Sequence, residues 1–330
     1  MVNVTLIGHG NIGKEVQVRV NNQKWDLVNI VTPSGVYSEN KQKKADADDY
    51  LKFLDDTDIV FLSIPTKDDG RIAFEYIDAI TKRSIPIVTC EKGALSRYFG
   101  QLEDKLSLVG YSATVGGGSG MLPYAIEQMS DSVSAVHAVL NGTMNFILYN
   151  VGNGLASGSV VDSAIKLGYA EPLGEGDGII DVINGEAIGD VPKKIATLCN
   201  FFNIFKDDKT RDKFLNTSFK GLNEESYERL MREAGNRRYI VSITKEPMNE
   251  EDIIAPLYFE VDGWTISSGF KDVNQNSIYQ RLLVPGVFNA LLMVKGPNGE
   301  YGANVVSGEG AGPGPTVEAM MKDAKRLLNI

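Results

Sequence analysis

The chain has 330 residues, 43% hydrophobic and 23% charged, with a formal net charge of -10, which describes a globular protein long enough for two domains. The negative charge argues against nucleic acid as a partner, and two cysteines, Cys90 and Cys199, are too few for a disulfide framework and lack metal-ligand spacing, so no metal is expected. No apolar run approaches the roughly 20 residues that cross a bilayer, and no basic region or cleavage site opens the chain, so a cytoplasmic protein with no membrane partner is expected.

The first element is a short apolar strand, Val2 to Ile7, running into Gly8-His9-Gly10-Asn11-Ile12-Gly13-Lys14. This is the pattern of a dinucleotide-binding turn: the first glycine allows the turn, the second lets backbone approach a pyrophosphate, and the third lets the next helix pack on the strand. A second strand, Leu27 to Val31, follows at βαβ spacing and ends in Thr32-Pro33-Ser34. A carboxylate that would take the ribose hydroxyls of NAD is expected about 20 residues past the turn. None stands at this strand end, and Lys41, Lys43 and Lys44 follow. NADP or NAD is therefore the expected cofactor, with NADP slightly ahead; the lysines read equally well as solvated loop charges.

A third strand, Ile59 to Ile64, ends in Ser63-Ile64-Pro65-Thr66, and a fourth, Ile87 to Cys90, ends in Cys90-Glu91-Lys92-Gly93. Ligands bind at the carboxyl edge of a parallel sheet. Lys92 is thus placed either to offer charge to a carboxylate or carbonyl oxygen, or to be a surface lysine opening a helix. Cys90 reads as a buried strand cysteine rather than a nucleophile, because no base is identifiable beside it. With Leu108 to Tyr111, these strands predict an α/β fold: a Rossmann doubly wound parallel sheet over 1–130, completed by 305–330. The glycine-dense Val115 to Gly120 reads as a passage between domains, followed by a helix from Leu122 to Met129. Residues 131–304 read as an α+β domain with strands at 133–140, 239–244, 254–261 and 290–294, and helices around 145–168, 186–203 and 222–234. The charge-rich 205–237 reads as a solvated helical surface. At the end, Ser307 to Thr316 is an ordered glycine turn opening a helix from Val317 to Leu328, a second possible anion site.

Leu140-Asn141-Gly142-Thr143-Met144-Asn145-Phe146 and Gly168-Tyr169-Ala170-Glu171-Pro172 closely resemble homoserine dehydrogenase. So do the N-terminal glycine turn, Cys90 to Leu95, Thr114 to Gly118, Asp190-Val191-Pro192-Lys193-Lys194-Ile195, and Gly310-Ala311-Gly312 with Thr316; together they cover nearly the whole chain in the family's order. The resemblance implies reversible NAD(P)H-dependent reduction of L-aspartate 4-semialdehyde to L-homoserine, in threonine and methionine biosynthesis, by a Rossmann domain and an α+β substrate and dimerisation domain, as a homodimer. It implies Lys194, Asp190 and Lys92 as catalytic residues. The substrate is assigned to Glu171, which holds the amino group, with Asp181, Asn141, Gly142 and Thr143. The cofactor is assigned to Gly8, Gly10, Asn11, Ile12, Gly13, Thr32, Ser63, Pro65, Lys92, Gly312 and Thr316.

The residues themselves agree in part. Asp190 and Lys194 stand one turn apart at the start of a predicted helix whose first turn tolerates Pro192, so they share a face. Alone, such a pair is a minor surface salt bridge; in company with Glu171 and Lys92 it supplies the acidic and basic groups an amino acid substrate requires. Which lysine gives a proton stays open, and His9 and His137 fit that role poorly. Three features depart from the family. The 173–189 segment is longer and glycine-rich, so the substrate-side aspartate is Asp177 or, preferred, Asp181. Ser112 stands where the family often carries a sodium-binding glutamate, leaving the carbonyls of Val115, Gly117 and Ser119 as candidate cation ligands. The resemblance implies the short, monofunctional form without a regulatory domain or kinase, so feedback inhibition through one is not expected. Two further readings are a related oxidoreductase acting on another small amino acid, and a cofactor-binding regulatory protein without turnover.

Overall fold

The computed structural model describes residues 1–170, 174, 178–217, 219–246, 252–296 and 299–330. The chain divides into two compact units, Met1–Gly118 with Pro313–Ile330, and Ser119–Gly312. The first boundary falls inside the glycine-dense passage.

In the first unit a seven-stranded sheet has the order β4-β3-β2-β1-β5-β6-β7. Five strands are parallel: β1 (Asn3–Ile7), β2 (Asp26–Thr32), β5 (Ile59–Leu62), β6 (Ile87–Thr89) and β7 (Val109–Gly110). These are the five strands expected from their apolar runs. The short β3 (Gly35–Tyr37) and β4 (Lys43–Ala45) add an antiparallel margin beyond β2, unforeseen because three-residue strands carry no readable period. Helices α1 (Asn11–Asn22), α2 (Arg71–Thr81), α3 (Gly93–Arg97) and α4 (Phe99–Leu102) belong to this unit.

One face of the sheet, with Val4, Leu6, Ile30, Phe61 and Val88, packs on Val16 and Val20 of α1 and on Val317, Met320 and Ala324 of the C-terminal helix Pro313–Leu328. Each of these Val, Leu, Ile, Phe and Met side chains taken fully out of water contributes roughly 1.5–3 kcal/mol. The C-terminal helix is also tied by polar contacts: Asp323, 4% exposed, accepts the Ser112 N–H at 2.7 Å and its Oγ at 2.8 Å. Ser112 is thus committed to this carboxylate. Replacing Asp323 by Ala leaves both Ser112 donors without it, and a loss of about 1–3 kcal/mol is expected, read as a lower Tm by calorimetry. An unchanged Tm overturns this.

The second unit carries a six-stranded antiparallel sheet of order β10-β11-β9-β8-β12-β13: β8 (Val133–Val139), β9 (Arg237–Thr244), β10 (Ile254–Val261), β11 (Trp264–Asp272), β12 (Phe288–Lys295) and β13 (Ala303–Glu309). Four match expected strands; β11 and β13 are additional. Its helices are α5 (Met121–Gln128), α6 (Gly142–Gly152), α7 (Ser157–Lys166), α8 (Ile179–Asn184), α9 (Val191–Phe201), α10 (Asp208–Leu215), α11 (Glu224–Arg232) and α12 (Ser277–Gln280), followed in the first unit by α13, the Pro313–Leu328 helix. The single helix expected over 145–168 is two, α6 and α7, separated at Gly154, whose φ of 92° suits only glycine.

Val139, Ile240, Ala290 and Leu292 of this sheet pack under Val273, Tyr279, Leu282 and Val284. His137 is buried here, its Nδ1 2.9 Å from Ser242 Oγ, a packing role consistent with its unsuitability for acid-base work. The charge-rich 205–237 stretch is not uniformly a solvated surface. Arg211 is 2% exposed and donates to Asn200 Oδ1 at 2.8 Å, and Arg237 is 1% exposed and bonded to Glu233 and Asp252. These guanidiniums are buried because carboxylates and amides brought by folding satisfy them.

Candidate active site

The glycine turn of the first unit has a separate physical reason at each glycine. Gly8 has φ 91°, and a Cβ there would overlap the Ser63 carbonyl oxygen and lie 2.8 Å from its carbon. At Gly13 a Cβ would overlap the Gly8 carbonyl oxygen and lie 2.9 Å from Ser63 Oγ, so β1, β5 and α1 meet here backbone to backbone. Gly10 differs: it is exposed, its φ of -77° is open to any residue, and a Cβ would meet nothing within 4 Å. The protein's own packing does not require glycine at Gly10. The open approach to the start of α1, where Gly10 caps the helix without a side-chain hydrogen bond, suits a pyrophosphate resting on the Asn11, Ile12 and Gly13 amides. His9 turns away, with Nε2 2.8 Å from Gln17 Oε1.

The other cofactor candidates of this unit stand at strand ends. Ser63 donates its Oγ to Gly8 O at 2.9 Å, and so braces the turn; Pro65 is exposed. Thr32 Oγ1 lies 2.9 Å from Ser34 Oγ, which also receives the Tyr37 hydroxyl at 3.1 Å, giving an exposed group of hydroxyls at the end of β2. Of the lysines beyond it, Lys43 pairs with Asp46 at 2.7 Å and Lys44 Nζ donates to Val28 O at 2.8 Å and Asn29 Oδ1 at 2.9 Å. Lys41 is exposed.

At the end of β6 it is Glu91 that organises the backbone. Buried at 3% exposure, it accepts Gly93 N at 2.7 Å, Ala94 N at 2.9 Å and Thr66 Oγ1 at 2.5 Å. It thereby opens α3 and joins the loops after β5 and β6, leaving Lys92 half-buried at the sheet's carboxyl edge. Cys90 is half-buried just past β6 and Cys199 is buried; desolvation pushes the Cys90 thiol up to about 11 and raises that of Cys199 further, which disfavours both as thiolate nucleophiles. Native protein is therefore expected to react slowly with iodoacetamide at pH 8 and to take up two labels per chain once denatured; fast native labelling would contradict the raised thiols.

In the second unit the sequence candidates converge. Lys194, 5% exposed, donates Nζ to Leu140 O at 2.7 Å and pairs with Asp190 Oδ2 at 2.6 Å. Asn141 caps α6 by accepting the Met144 N–H at 2.8 Å, and its Nδ2 donates to Asp190 Oδ2 at 3.0 Å and to Glu186 Oε2 at 2.5 Å. Gly142 runs against the loop before β12, where a Cβ would lie 2.6 Å from Val287 O. Thr143 donates to Tyr169 O at 2.5 Å, and Phe146 meets the Tyr169 ring edge-on at 5.3 Å, which anchors the chain just before residue 171. Lys193, the residue before Lys194, instead donates to Gly189 O at 2.5 Å. That tells the two adjacent lysines apart.

Glu186 is the member that sequence reasoning missed. It lies in a π-helical turn, Gly185–Asp190, just ahead of α9, and such widened turns recur at functional sites. The available signal was its spacing: 186, 190 and 194 step by four toward the lysine. Asp181 is placed otherwise. It is exposed, and its Oδ2 takes the Gly178 N–H at 2.7 Å at the start of α8. Glu171 and Asp177 lie outside the described residues. Gly312 adopts φ 99°, and Thr316 stands in the first turn of α13.

The model of the homoserine dehydrogenase family matches residues 124–324, from within α5 into α13. The chain belongs to the homoserine dehydrogenase family. The matched stretch contains Asn141, Glu186, Asp190 and Lys194. A relative from Sulfurisphaera tokodaii named homoserine dehydrogenase is 25% identical over 275 residues, which are 78% of this chain and 85% of that one. The homoserine dehydrogenase structure from Thermoplasma acidophilum superposes with a TM-score of 0.66 at 20% identity, covering 100% of this chain and 99% of that one. A hyperthermophilic archaeal homoserine dehydrogenase in complex with NADPH gives 0.69 at 17% identity, covering 100% and 98%. These likenesses carry the two-sheet α/β fold. Among the described residues no helix is long and apolar enough to cross a membrane.

Proposed function

We propose that the chain catalyses the reversible oxidation of L-homoserine to L-aspartate 4-semialdehyde with NADP or NAD, as a cytoplasmic homodimer. The observation that carries this reading is the buried Lys194 held by Asp190 and the Leu140 carbonyl, beside Asn141 and Glu186. When bound, the nicotinamide accepts or returns the hydride.

The chain's own residues do the rest. In the reducing direction, negative charge grows on the aldehyde oxygen, and the Lys194 ammonium, or a water it orients, stabilises that charge and delivers the proton. Asp190 aims Lys194, while Asn141 holds Asp190 and Glu186 in place. Glu171 is assigned the substrate amino group by resemblance to the family, and the Thr143 bond to Tyr169 O fixes the backbone just before it. Lys92 is proposed as the second lysine, at the edge of β6. NADP is preferred over NAD: no carboxylate stands at the end of β2, the Thr32 and Ser34 hydroxyls tolerate a 2′-phosphate, and the exposed Lys43–Asp46 pair is weak enough to release Lys43.

The test is reduced-nicotinamide absorbance at alkaline pH with homoserine and each cofactor, with aspartate as the control. Signal with homoserine alone supports the assignment and ranks the cofactors. Silence with a cofactor that is shown to bind overturns the substrate assignment and favours another amino acid substrate or a protein without turnover. Light scattering during gel filtration tests the dimer.

A further inference from the structure

The Leu140 carbonyl that receives Lys194 has a second donor. Asn289 of β12, fully buried, gives its Nδ2 to Leu140 O at 3.2 Å, while its Oδ1 has no hydrogen-bond partner among the described residues. Gly310 lies flat against this amide; a Cβ there would overlap its Cγ, Nδ2 and Oδ1. A buried amide with an unsatisfied oxygen costs stability that an apolar side chain of similar shape would not. The part of the residue that does something is therefore its donor.

A peptide carbonyl has two acceptor lone pairs, and here both have donors: Lys194 at 2.7 Å and Asn289 at 3.2 Å. Leu140 is the residue between β8 and Asn141, whose side chain holds Asp190 and Glu186. Turning the Leu140 peptide would move the acceptor of Lys194 and the cap of α6 together. We infer that Asn289 is a positioning residue: by pinning the Leu140 carbonyl from the neighbouring strand, it fixes where the Lys194 ammonium points. The inference rests on the reading of Lys194 as catalytic, and Asn289 acts only through the carbonyl.

The experiment compares wild type with Asn289→Leu, which fills the same space without a donor, and Asn289→Asp, which keeps the shape and replaces the donor by an acceptor. Steady-state homoserine oxidation over pH is measured beside thermal unfolding and 1H–15N spectra of the lysine ammonium groups, with the Lys194 signal assigned by its loss in Lys194→Met. In both variants kcat is expected to fall at least about tenfold, as misplaced catalytic groups do, with KM for homoserine changing less than about twofold. The kcat–pH profile shifts, the Lys194 signal moves or broadens, and Tm in Asn289→Leu stays level or rises. A purely structural role would lower Tm and leave the pH profile alone. Unchanged kcat, profile and Lys194 signal in a folded variant overturn the inference, and Asn289→Asp decides if Asn289→Leu does not fold. Should wild type fail to oxidise homoserine, the functional reading falls, and the ammonium spectrum still decides whether Asn289 positions Lys194.

Discussion

Lys194→Met is expected to lower kcat for homoserine oxidation by about 10³-fold, the scale of removing a proton donor that also stabilises developing charge. The side chain is 7% exposed and its partner Asp190 13%, so this is not the exposed pair that contributes next to nothing. Removing the ammonium takes from Asp190 its ion-pair partner, while Asp190 still shares the Asn141 amide nitrogen with Glu186. Breaking a buried pair in this one-sided way costs about 3–5 kcal/mol, so Tm falls together with activity. Lys194→Arg is expected to recover stability more than activity: a guanidinium satisfies the carboxylates but does not give up a proton. Full activity in Lys194→Met would remove this lysine from the mechanism while leaving the fold assignment untouched.

Gly10→Ala and Gly13→Ala are expected to fail in opposite ways. The Gly10 backbone accepts alanine, and the added methyl meets nothing in the protein, so folding is unaffected. The methyl occupies the approach to the α1 amides, and the Kd for NADPH and NADH rises by about a hundredfold, or about 2.7 kcal/mol. At Gly13 the methyl would overlap the Gly8 carbonyl oxygen; overpacking of this kind costs about 1–3 kcal/mol, and Tm falls with no cofactor present. Titration of nicotinamide fluorescence beside calorimetry separates the two. If Gly10→Ala binds both cofactors as wild type does, the pyrophosphate does not rest on this turn.

The sequence by itself determined the features whose physics is local. The five parallel strands announce themselves as apolar runs at βαβ spacing. The glycine turn is readable because a left-handed φ at Gly8 and a backbone contact at Gly13 leave no alternative residue. Lys194 and Asp190 meet because helical spacing puts residues one turn apart on one face. Only the tertiary structure decided the rest. Asn141 reaches Asp190 across 49 positions and Asn289 reaches Leu140 across 149, contacts set by strand register and by a π-helical turn. Glu186 joins the site and Asp181 caps a helix, although each is one more carboxylate in the same segment. Propensity and period report which face a residue takes on its own element; which distant element then covers that face is decided by the packing of the whole sheet, and so the second partner of Lys194, the Leu140 carbonyl, became visible only in three dimensions.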